Sequence, residues 1–74
     1  MTESPVVTVL EVRHQRAEWV VMSDRRDTPL SSHATADAAV RAARSVLERE
    51  PDAELIVRDR YARTMSHHAP RRRG

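Results

Sequence analysis

Four histidines, two adjacent serines and a cluster of arginines are the side chains of this 74-residue chain best suited to chemistry. His67 and His68 are neighbours, and on a strand neighbouring side chains point to opposite faces, so the two cannot hold one ion together. His14 falls in a predicted turn and His33 just before a predicted helix. No two histidines stand four apart, and the chain has no cysteine, which removes thiolate ligands, thiolate nucleophiles and disulfides together. Each histidine reads as an exposed polar residue, and we expect no metal and no other cofactor. Ser31, Ser32 and His33 are contiguous, whereas a nucleophile and its base are normally brought together by the fold and oriented by a third group. The only glycine is Gly74, so no glycine-rich phosphate loop is present. Catalysis also calls for a concave site of about 300 Å³ or more, which a chain this short can hardly enclose. We assign no catalytic residue and expect a protein that is not an enzyme.

The arginines have a direct electrostatic reading. All thirteen basic side chains are arginine, which with the many alanines suggests a GC-rich bacterial genome. Residues 1–55 hold seven arginines against ten carboxylates, a net −3; residues 56–74 hold six arginines against Asp59 alone, a net +5. Arg58, Arg60, Arg63, Arg71, Arg72 and Arg73 could neutralise phosphates without reading bases, which makes weak, sequence-nonspecific nucleic-acid binding the alternative function. The competing reading is a solvated basic tail that keeps the protein in solution. Trp19 and Tyr61 are the only aromatics, too few for a base-stacking platform. Trp19 is expected at the centre of the core, and Tyr61 partly exposed in a bend.

The elements that must position these residues are legible in the hydrophobic pattern. VVTVLEVR, residues 6–13, is rich in β-branched residues and ends in apolar–polar alternation, a strand. HQRAE is a polar five-residue connection without the Asn-Gly signal of a tight turn. EWVVMS is a second strand, and LSSHA a short third. Thr35 is a good N-cap, with Asp37 in the first turn where the helix dipole favours a carboxylate. Ala36, Ala39, Val40, Ala43, Val46 and Leu47 then mark one face of a helix over about 36–50, which Pro51 ends. AELIVR is the clearest strand, and RTMSHH a less patterned last one.

These elements predict an α+β domain: an antiparallel sheet of three to five strands, order β-β-(β)-α-β-(β), with one helix packed on one face. The domain is expected over residues 6–66, between a tail at 1–5 and a basic, disordered tail at 67–74. One strand register or the other leaves Val7, Val9, Val20, Met22 or Ile56 on the sheet's outer face, and an exposed apolar face usually marks a partner. A domain of this size also has a thin core and often needs oligomerisation. A homodimer formed through the sheet is the expected state, with an unknown protein partner as a further possibility. MTESPVV lacks the basic and apolar regions of a signal peptide, and no apolar run reaches the 18 or so residues of a membrane span. The expected location is the cytoplasm, with no membrane partner.

Trp19 and Val21, then Thr35, Ala38, Ala42 and Ala43, then Ala53, Glu54, Leu55 and Val57 follow a pattern that resembles the small bacterial domain of unknown function 2188 family. The resemblance covers about residues 6–66. It implies a compact sheet-plus-helix unit and no activity. Family members usually carry an Asp-Gly turn after the last clear strand and a Ser-Tyr-Gly stretch near the end; this chain has Tyr61-Ala62 and Ser66-His67-His68 there. The chain also bears a looser similarity to the arm-type DNA-binding modules of phage integrases, whose strands enter the major groove. Glu11, Arg13, Glu18 and Asp24 on the corresponding strands would repel about as many phosphates as they attract.

Overall fold

The computed structural model describes residues 8–68, so Val6, Val7 and Arg71 to Arg73 lie outside the described residues, as do the expected tail at 1–5 and most of that at 67–74. The elements are β1 (Val9–Gln15), β2 (Glu18–Ser23), β3 (Ser31–His33), α1 (Ala36–Arg49), β4 (Glu54–Arg58) and β5 (Thr64–His68). The five strands form one sheet in the order β3-β2-β1-β4-β5. Three of its pairings are antiparallel, but β1 and β4 run parallel, so the sheet is mixed rather than wholly antiparallel. The helix is the reason. α1 carries the chain back to the end where β3 began, and β4 therefore runs in the direction of β3 and of β1.

The first connection is tighter than the sequence suggests. Gln15 pairs with Glu18, leaving only Arg16 and Ala17 in the turn, both with positive φ (52° and 67°). That is the backbone of a type I′ hairpin, whose twist matches the flanking strands and which usually recruits Asn-Gly. Pairing across the hairpin overrides the unfavourable turn residues, and His14 is consequently a strand residue rather than a turn residue.

Thr35 caps α1 as its type predicts: its hydroxyl accepts from the Ala38 N–H at 3.1 Å. Glu50 is the C-cap, with its N–H bonded to Val46 and Leu47 carbonyls. Ala39 and Ala43 are fully buried, and Val40, Ala42, Val46 and Leu47 pack around them. Small side chains at the centre of the stripe let the helix sit close to the sheet, and Ala42 joins that contact. Opposite lie Leu10, Val12, Val21, Leu55 and Val57, with Ala53 beside them. Fully burying a valine or leucine contributes about 1.5–3 kcal/mol, so the four largest buried side chains, Leu10, Leu55, Val12 and Val21, dominate the core.

Trp19 is not the centre of that core. Its rung, opposite His14 and His33, lies at the hairpin end of the sheet, where the ring is half-buried and packs against the cluster's margin. The His14 ring meets it edge-on, 5.0 Å between centroids. The last strand is present, and it extends the domain past residue 66: His67 and His68 pair with Ile56 and Leu55.

Candidate functional site

The helix touches β1 to β4 on one side of the sheet and does not reach β5. Among the described residues no helix covers the outer face of the sheet or reaches the edge strand β5. Alternation along β1, β2 and β4 puts Val9, Glu11, Arg13, Val20, Met22, Ile56 and Arg58 on the outer face. They include most of the lining of an open depression of about 350 Å³, to which Asp24 and Ser23 also contribute.

Glu11 organises this face. Its carboxylate accepts from Arg58 Nε and, at 3.4 Å, from Arg13 Nη1. Arg58 reaches further, donating through Nη1 to the Ala62 carbonyl and to Thr64 Oγ1, each at 3.2 Å. At one flank Glu54 pairs with His67, and at the other Ser32 donates to Glu18. These side chains and their stems lie among the apolar residues. Val20, between Arg13 and Ser32, is only 4% exposed, and Val9, Met22 and Ile56 are half-buried. The large apolar side chains that are exposed among the described residues sit instead in the β4–β5 hairpin: Tyr61 at 72% and Met65 at 66%.

Asp59 builds the turn of that hairpin. Its carboxylate accepts the Arg63 backbone N–H at 2.9 Å, the Tyr61 N–H at 2.8 Å and Arg63 Nε at 2.9 Å. The bond from the Arg63 N–H, aided by those from the Tyr61 N–H and the Arg63 guanidinium, holds the Asp59 carboxyl below its ordinary pKa. The Arg63 guanidinium also lies over the Tyr61 ring, 5.4 Å from its centroid. Ala62 takes a positive φ of 67° in this turn.

The structure separates the residues that sequence spacing grouped. Ser31 and His33, two apart, face the same side of β3 and share a hydrogen bond of 2.8 Å, while Ser32 turns the other way. No carboxylate hydrogen-bonds to His33 among the described residues, so the pair lacks the third group of a triad. No three His, Asp or Glu residues are placed to hold a metal ion among the described residues. Of the arginines assigned to nucleic-acid binding, Arg58 and Arg63 are held in ion pairs and Arg60 is exposed in the turn; Arg71, Arg72 and Arg73 lie outside the described residues. Glu11 carried only one signal in the sequence, an acidic residue in an alternating strand. Its role depends on the parallel β1–β4 pairing, which brings Arg58 alongside from 47 positions away.

Known proteins can now be set beside this arrangement. The family described as "Uncharacterized protein conserved in bacteria (DUF2188)" matches residues 8–68, more than half of the chain. The chain belongs to the DUF2188 family. The match runs from the residue before β1 to the end of β5, so the DUF2188 unit includes the last hairpin, and Ala62 supplies its left-handed residue without glycine. No curated protein and no solved structure matches, and the looser similarity to integrase arm modules gains no match of its own. Among the described residues no helix is long and apolar enough to cross a membrane.

Proposed function

We propose that this DUF2188 domain is a small non-catalytic interaction module, an adaptor or accessory subunit, that forms a homodimer through its sheet. One observation carries the reading: α1 stops short of β5, and among the described residues all five of that strand, Met65 included, are exposed at one edge of the sheet. An uncovered strand presents unpaired backbone donors and acceptors, and natural proteins that leave one open generally pair it. Sedimentation velocity at micromolar concentration tests the proposal. A dimer is expected, and a monomer overturns it.

The alternative, nucleic-acid binding through the arginine-rich end, gains less support. Glu11 and Asp59 pair with Arg58 and Arg63, which leaves Arg60 as the one of these three with no carboxylate partner among the described residues. A mobility-shift assay comparing the full chain with a 1–69 truncation is expected to show no salt-sensitive binding that the truncation removes. Such binding would favour the alternative.

A further inference from the structure

Going beyond the self-association, we infer that the end of the sheet where both hairpins turn is a docking surface for an acidic segment of a partner protein, which Arg16 and Arg60 bind beside the exposed Tyr61 ring.

The parallel β1–β4 pairing creates this end. Because β1 and β4 run in one direction, the turn at 16–17 and the turn at 59–63 project from the same end of the sheet. β3, antiparallel to β2, brings the start of α1 there as well. Neighbouring strands are about 4.8 Å apart, and the order β2-β1-β4-β5 therefore sets the two turns about 10 Å from each other, within the span of one short peptide.

Charge is sorted between the ends. Residues 13–18, 33–37 and 58–64, at the hairpin end, hold five arginines against three carboxylates, a net +2. Residues 24–27 and 48–54, at the other end, hold three arginines against six carboxylates, a net −3. Within the basic end, Glu11 on the outer face engages Arg13 and Arg58, and Asp59 engages Arg63. Arg16 and Arg60 are exposed, one in each turn, and make no ion pair among the described residues. Arg16 is also held at a φ of 52°, a conformation costly for a side chain of its size, and such residues cluster where a binding site needs the side chain in place.

The surroundings of these two guanidinium groups fit a protein better than a nucleic acid. Tyr61, 72% exposed, lies in the same turn as Arg60, and tyrosine and arginine are the residues that protein interfaces enrich and use as hot spots. An arginine can grip a carboxylate through two parallel N–H bonds. Duplex phosphates carry a charge about every 1.7 Å and would be forced against Glu18 and Asp59 along with the arginines; carboxylates on a peptide can be spaced to avoid them.

Fluorescence anisotropy of the full chain with labelled oligoglutamate at low salt tests the assignment, with labelled oligothymidylate as the second probe. Oligoglutamate is expected to bind. Arg16→Glu and Arg60→Glu are each expected to weaken it about fivefold, and Arg44→Glu, an equal change of charge on an exposed position of α1, by less than about twofold. Absence of oligoglutamate binding, or losses in R44E equal to those in R16E and R60E, overturns the docking surface. Tighter binding of oligothymidylate, lost in R16E and R60E, overturns the acidic partner in favour of a nucleic acid. Should a charge-reversed turn variant fail to fold, Arg16→Ala and Arg60→Ala take its place, each with an expected loss of about twofold. Sedimentation of the chain without peptide tests the dimer separately, so the two readings fail independently.

Discussion

Three residues hold backbone conformations that their types disfavour. Arg16, Ala17 and Ala62 all have positive φ, a region in which a non-glycine residue costs about 1–2 kcal/mol. Ala62→Gly removes that cost while adding some chain entropy to the unfolded state, so a net gain of about 0.5–1 kcal/mol is expected. A thermal melt checks it, and a melting temperature at or below wild type would count against the assigned turn. Asp59 makes a separate prediction about acid. Its pKa is lower folded than unfolded, so its contribution is fully present above the ordinary aspartate value of about 3.9 and is lost as pH falls through the lower folded value. Stability followed by denaturant titration below about pH 4 is expected to fall less steeply in Asp59→Asn than in wild type.

Among the elements, α1 was the most legible. Its cap, its alanine stripe and its end at Pro51 are all local features, and the structure reproduces them within a residue. The buried alanines set a test of close approach: Ala43→Leu has no space to fill and is expected to destabilise by about 1–3 kcal/mol through overpacking. A neutral denaturation midpoint would mean that the helix sits farther from the sheet. Of the strands β4 was the clearest and β2 was readable from its apolar run, whereas the first hairpin was not, because Arg16-Ala17 carries none of the usual turn chemistry. Strand pairing imposed the tight turn, and no local signal announced it. For β5 the difficulty was different. TMSHH buries nothing, so hydrophobic periodicity had little to report, and the strand is held by its ladder to β4 and by the contacts of Thr64 and His67.

Considered as a whole, the described residues form a two-layer unit with a thin core, in which β5 is an edge strand that the helix does not reach. Edge pairing draws on backbone hydrogen bonds and apolar cover rather than on exposed ion pairs, so the proposed dimer is expected to persist at about 0.5 M salt, where the Debye length is only a few Å. Sedimentation at low and high salt measures this, and dissociation at high salt would point to an ionic contact instead. The same scale explains why the candidate site was only partly readable. The outer face was anticipated as apolar, and Val9, Val20, Met22 and Ile56 do lie on it, but Glu11, Arg13 and Arg58 share it, and their ion pairs come together only through pairings between distant strands.

By itself the sequence determined the elements and the class of fold, because capping, helical periodicity and strand alternation are written within a few residues of one another. It also narrowed the chemistry, since the lack of cysteine and of internal glycine is a matter of composition. Only the tertiary structure decided the parallel β1–β4 pairing, the marginal place of Trp19, the clamp of Glu11 on Arg58 and the exposure of β5. Each of these depends on which distant strands become neighbours, and that is settled by how one helix crosses one sheet.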